Sequence, residues 1–113
     1  MHFLTLNVLG LGGLGKQKIL RHLIVTLSPD VVLLQETMTS SYPALFSFSK
    51  LCPKWEFCAL NSKGLSEGIL SRWNPKLLKC KAFHTVVSIL LKASIHGFSF
   101  ELSILNCYGP YLN

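Results

Sequence analysis

The chain has 113 residues, half of them hydrophobic and only 14% charged, with 11 Lys and Arg against 5 acids for a formal charge of +6. That length excludes more than one domain, and the charged share falls well below the roughly 25% of an ordinary soluble domain. So apolar a chain carries more hydrophobic surface than it buries alone, as expected of part of a larger domain or a subunit of an obligate complex. The basic balance favours polyanions, nucleic acid included, although a solvated basic surface accounts for it equally well.

In chain order, residues 3–8 read as a short buried strand, followed by a loop from Gly10 to Gly15. Lys16 to Leu27 have helical spacing. Ile19, Leu20, Leu23, Ile24 and Leu27 fall on one face, and Lys16, Gln17, Lys18, Arg21 and His22 on the other. Ser28-Pro29 ends the helix, because proline disfavours helical geometry in the residue before it. Val31–Leu34 then form a continuously apolar strand of the kind covered on both faces. A strand–helix–strand unit of this kind implies a right-handed crossover and a parallel pair.

Residues 37–54 are rich in Ser, Pro and aromatics and carry no helical period. Short strands are predicted at 55–60, 68–73, 86–95 and 98–107, separated by turn signals such as Asn74-Pro75 and His96-Gly97. Phe98, Phe100, Leu102 and Ile104 alternate with Ser99, Glu101 and Ser103, which predicts one buried face. One crossover followed by an antiparallel meander gives an α/β (α+β) mixed sheet rather than a doubly wound parallel one.

The cysteines at 52, 58, 80 and 107 form no CxxC pair and no metal-ligand spacing with the four histidines. They read as reduced, mostly buried thiols of an intracellular protein. The first fifteen residues lack a basic n-region, so no signal peptide is predicted. Polar residues interrupt every apolar run before 18 residues, so no membrane partner is expected.

Gly10-Leu-Gly12-Gly13-Leu-Gly15 matches the GxGxxG dinucleotide fingerprint, and with Lys16 it matches a P-loop until Gln17 stands where a hydroxyl should bind magnesium. The following chain does not continue as alternating helices and parallel strands. A glycine-rich turn that lets the helix approach the sheet is the simpler account. A small nucleotide-binding module remains the alternative, as does a non-catalytic interaction protein.

Asn7, Glu36 and Tyr108 each end a strand-like run. An amide, a carboxylate and a phenol gathered at strand ends would hold a divalent ion and a phosphate. Taken singly, each has a plainer explanation: a turn-forming asparagine, an exposed glutamate, an aromatic anchoring a turn.

In company they gain meaning. Leu6-Asn-Val-Leu-Gly-Leu-Gly-Gly13, Ser28-Pro-Asp-Val-Val-Leu-Leu-Gln-Glu-Thr37, Glu67-Gly-Ile-Leu-Ser-Arg-Trp-Asn-Pro75 and Leu105-Asn-Cys-Tyr-Gly-Pro110 occur in that order. The series closely resembles the endonuclease/exonuclease/phosphatase family, and most of all the endonuclease domain of plant LINE-type (non-LTR) retrotransposon polyproteins. The resemblance implies a four-layered α/β sandwich, of which residues 1–113 would be the N-terminal half, contributing roughly one sheet and its first helix. It implies Mg2+ as cofactor, DNA as partner, and a missing C-terminal half-domain.

In such a domain Asn7 would organise the site, Glu36 would bind magnesium with Asn7 beside it, and Tyr108 would contact the scissile phosphate. Leu6 and Leu9 depart from the Trp and Arg frequent in relatives, and Glu67 replaces a glycine. The family's later Asp-x-Asn motif and terminal Asp-His pair, which position and activate the attacking water, are absent. The resemblance therefore implies a fragment of a nuclease with little or no activity of its own, and an aggregation-prone chain with one sheet face uncovered.

Overall fold

A computed structural model describes residues 1–8, 10, 14–37, 53–60, 68–85 and 87–107. Their elements are β1 (Phe3–Asn7), α1 (Leu14–Leu27), β2 (Val31–Gln35), β3 (Glu56–Leu60), β4 (Ile69–Trp73), β5 (Leu78–His84), β6 (Ser88–Ile95) and β7 (Glu101–Cys107). The first four strands form one sheet in the order β1-β2-β4-β3, and the last three form a second, β5-β6-β7. Only β1 and β2 are parallel, with Phe3 opposite Val31 and Asn7 opposite Gln35. Every other pairing is antiparallel.

The parallel pair follows from the predicted crossover through α1. This helix covers one face of the first sheet. Leu20 and Ile24 pack with Val8, Val32, Leu34 and Leu70, and Leu4, Leu6, Trp55 and Ala59 border them. The apolar stripe is narrower than its spacing predicts, because Ile19 and Leu27 are 61% and 50% exposed.

The opposite face carries the second core. Val31, Leu33, Ile69 and Trp73 meet Leu78, Ile89, Leu91 and Ala93 of the other sheet, all buried, with Cys58, Cys80, Leu102 and Ile104 at the margin. Strands β2 and β4 are thus covered on both sides. Each fully buried Leu or Ile there contributes about 1.5–3 kcal/mol relative to an exposed one.

This arrangement corrects the expectation of a single sheet with an uncovered face. The unpredicted element is β5. Its Leu78-Lys-Cys-Lys-Ala run alternates properly, but lysines on its outer side hide the period. The turn after Asn74, closed by bonds from Leu77 N (3.1 Å) and Leu78 N (3.0 Å) to its carbonyl, hands the chain from one sheet to the other.

The hairpin at His96-Gly97 forms as predicted, with Gly97 at φ 90 and Phe98 N bonded to Ile95 O. The strand after it starts only at Glu101, so Phe98 and Phe100 stay exposed, in an edge-on ring contact with centroids 5.7 Å apart. Leu102 and Ile104 face the core as predicted. Among the described residues, no helix is long and apolar enough to cross a membrane.

Candidate metal and phosphate site

Because β1 and β2 run parallel in register, their C-terminal ends open on one edge of the molecule. Val8 N bonds to Gln35 O (3.0 Å), and the chain then leaves β2 through Glu36, whose backbone adopts φ 52. A non-glycine residue in the left-handed region costs roughly 1–2 kcal/mol, and such outliers gather where function holds them. Here neighbours pin the residue. Gly10 N donates to Glu36 O at 2.7 Å and Thr37 N donates to Gly68 O at 3.0 Å. Gly10 (φ 98) and Gly68 (φ 107) both need the left-handed freedom of glycine.

The result is a direct side-chain contact: the Asn7 amide donates to the Glu36 carboxylate. Asn7 is exposed and Glu36 half-buried, so the pair faces outward. Two of the three sequence-predicted residues therefore meet. The third, Tyr108, lies outside the described residues, as do Glu67 and the middle of the glycine loop. Strand β7 does reach this edge. Its penultimate residue, Asn106, accepts a 2.9 Å bond from Gln35 Nε2.

Beneath the pair lies a polar chain that the motifs contain but to which sequence reasoning assigns no role. Gln35 Nε2 also lies 3.1 Å from Thr5 Oγ1 and 3.3 Å from Leu33 O. Asn106 Nδ2 faces Leu70 O and Ser71 Oγ at 3.1 Å and Leu34 O at 3.3 Å. The usable signal was periodicity. Leu102, Ile104 and Asn106 share the inward face of β7, so a polar residue falls on a core position.

Other candidate chemistry is committed elsewhere. The only aspartate, Asp30, sits at the far end of β2 and accepts from His2 N (2.9 Å). Lys16, the P-loop candidate, donates to Val8 O (2.9 Å), so its ammonium is held by the backbone at the start of the glycine loop. Among the described residues no three His, Cys, Asp or Glu side chains gather as a metal cage. One carboxylate with an amide beside it is nonetheless a hard-oxygen donor set. It suits an ion such as Mg2+, which keeps most of its waters and takes further oxygens from a phosphate.

The described thiols are less buried than predicted, and Cys52 lies outside the described residues. Cys107 is exposed, and Cys58 and Cys80 are half-buried and free. Burial raises the Cys58 pKa, and burial with the Glu56 charge nearby raises that of Cys80 to about 11.

No protein-family model matches the chain, and no curated protein matches it in sequence. Solved structures do match. The AP endonuclease LMAP from Leishmania major superimposes with a TM-score of 0.68 at 22% identity, covering 94% of this chain and 39% of that one. TDP2 from D. rerio, complexed with single strand DNA product, gives 0.67 at 18% identity, covering 93% and 44%. The catalytic domain of APE2 from Xenopus laevis gives 0.68 at 14% identity, covering 100% and 46%. The chain thus spans less than half the length of these structures. Among the described residues, its two packed sheets and helix have the architecture of part of an endonuclease/exonuclease/phosphatase-type α/β sandwich.

Proposed function

We propose that residues 1–113 are the N-terminal half of a magnesium-dependent DNA endonuclease domain of the LINE-type retrotransposon kind, with Asn7, Glu36 and Tyr108 supplying its first group of site residues. The observation that carries this reading is the Asn7–Glu36 contact at the paired ends of β1 and β2. The sequential order of the four motifs supports the retrotransposon origin, and neighbours that include an AP endonuclease and a DNA-bound TDP2 support a nucleic acid substrate.

Each residue has a defined task. The Glu36 carboxylate would hold the ion, with Asn7 beside it donating to the carboxylate. Tyr108, next in sequence after Cys107, would contact a phosphate oxygen. A bound magnesium would neutralise charge developing on the phosphodiester. The sequence contains no second aspartate, hence no Asp-x-Asn and no Asp-His pair. A general base contributes on the order of 10²–10⁴-fold, so these 113 residues alone turn over slowly or not at all.

The nucleotide-binding alternative would need Lys16 to leave Val8 O, and the antiparallel β2–β4 pairing interrupts a doubly wound sheet. The interaction-protein alternative draws on one observation, the exposed Phe83 and Leu105 that flank Leu90 on the outer side of the second sheet.

The test is a Mn2+ and Mg2+ titration of the 15N-labelled chain, with nicking of supercoiled DNA assayed in parallel. Millimolar binding that broadens the Asn7 and Glu36 resonances, abolished in Glu36→Gln, is expected, with nicking no faster than in that variant. Micromolar affinity for ATP or NAD, or metal binding indifferent to Glu36→Gln, would overturn the proposal.

A further inference from the structure

Asn106 is only 2% exposed, at a seam between sheets whose core is apolar, from Val31 and Leu33 to Trp73 and Leu91. A buried carboxamide costs stability unless its hydrogen bonds are made. Here they are: one oxygen accepts from Gln35, and one amino group faces acceptors on β2 and on β4. A leucine would fill that volume without demanding any partner. What the carboxamide adds is registry, since satisfied polar networks fix a unique arrangement where apolar packing tolerates several.

The network has a direction. From Asn106 it passes to the Gln35 side chain and on to Thr5 of β1. Gln35 is the residue before Glu36, and its own carbonyl holds Val8 N. The left-handed turn at Glu36 and the approach of Asn7 are therefore set from below, through Gln35.

We propose that Asn106 is a positioning residue which, acting through Gln35, holds Glu36 and Asn7 in their mutual geometry. This deepens the proposed function and rests on it, because the geometry held is that of the proposed metal ligand. Residues that orient a metal ligand through a hydrogen bond typically change metal affinity 10–100-fold when removed.

The test reads the Asn7 side-chain amide by NMR in the 15N-labelled chain, with Glu36→Gln marking the signal of a weakened pair. In Asn106→Leu and Gln35→Met the Asn7 amide shift should move towards that marker and its solvent exchange should accelerate. Ser71→Ala, which removes one of several Asn106 partners and none of Gln35's, should leave it in place. If Asn106→Leu does not fold, Gln35→Met decides, since Gln35 is only half-buried. An unchanged Asn7 amide in a folded Gln35→Met chain overturns the proposal.

A Mn2+ titration of the same samples separates this inference from the function beneath it. Affinity reduced about tenfold or more in Gln35→Met supports both. Absence of Mn2+ broadening in the unmodified chain would sink the metal-site reading, while the amide arm still decides the positioning role.

Discussion

The central strands of the first sheet and the outer strands of the second are buried to very different depths. In the first, β2 and β4 have every residue from Val31 to Leu34 and from Ile69 to Trp73 buried, between α1 on one side and the second sheet on the other. In the second, β7 alternates between half-buried and exposed until Asn106, and β5 is mostly exposed beyond Leu78. Rows that run in register across its outer side pass from Phe83–Leu90–Leu105 to Lys81–Lys92–Ser103 and Lys79–Ser94–Glu101. The central strands of the first sheet are the interior of the sandwich, and the outer side of the second sheet is a surface. The difference lies in the number of covering layers, and hydrophobicity alone does not reveal it.

The largest expected effect breaks the buried side. Leu34→Ala or Ile69→Ala removes a fully buried side chain from strands packed on both faces and should destabilise the fold by about 2–5 kcal/mol. Leu105→Ala, on a residue 58% exposed, should fall within about 0.5 kcal/mol. Urea denaturation of the three variants measures the contrast. Equal losses would mean that the outer side of the second sheet is covered in solution.

Sharpening the same contrast from the surface side concerns association. An exposed apolar row on a sheet promotes it. Phe83→Gln with Leu105→Gln should therefore shift sedimentation of the chain from aggregate towards monomer with little change in stability. If the unmodified chain sediments as a monodisperse monomer and melts cooperatively, the fragment reading loses its physical basis.

What the sequence disclosed follows the same divide. The β1–α1–β2 crossover was legible because glycine, helical period and Ser28-Pro29 punctuate it, and β2 because its apolarity is unbroken. Strand β5 was not legible: a strand covered on one side only presents lysines outward, and its five-residue alternation resembles a basic loop. Ile19 and Leu27 of α1 misled in the opposite sense, since periodicity cannot tell how much sheet lies beneath a helix. At the candidate site, the motif order pointed to Asn7 and Glu36. The Gln35–Asn106 link that joins the sheets spans 71 positions and becomes visible only once both sheets are in place.

A smaller effect separates strain from chemistry at the site edge. Glu36 holds φ 52, which glycine adopts freely. Glu36→Gly should leave stability unchanged or raise it by up to about 1 kcal/mol, as relief of backbone strain offsets the lost Asn7 contact and the greater chain entropy of glycine. The same variant should lose Mn2+ binding. A loss beyond about 2 kcal/mol would mean that the carboxylate itself stabilises the fold, well above the usual worth of an exposed hydrogen bond.

The smallest expected effect probes the seam between the sheets through its thiols. Cys80 faces the second core and its pKa is raised from 9.0 to about 11, first by burial and then by the Glu56 charge. The folded chain therefore holds this proton more tightly than the unfolded one. Its contribution is fully present below about pH 9 and is lost as pH rises towards 11. Thermal melts between pH 8 and pH 10.5 should show a steeper decline for the unmodified chain than for Cys80→Ala. At neutral pH, Cys107 should react with a thiol reagent well before Cys58 and Cys80, because it is exposed whereas burial disfavours their thiolates. Parallel alkaline melts, or a Cys80 that reacts as fast as Cys107, would mean that the seam between the sheets opens readily, and that the contrast between an interior sheet and a surface sheet is weaker in solution than their packing indicates.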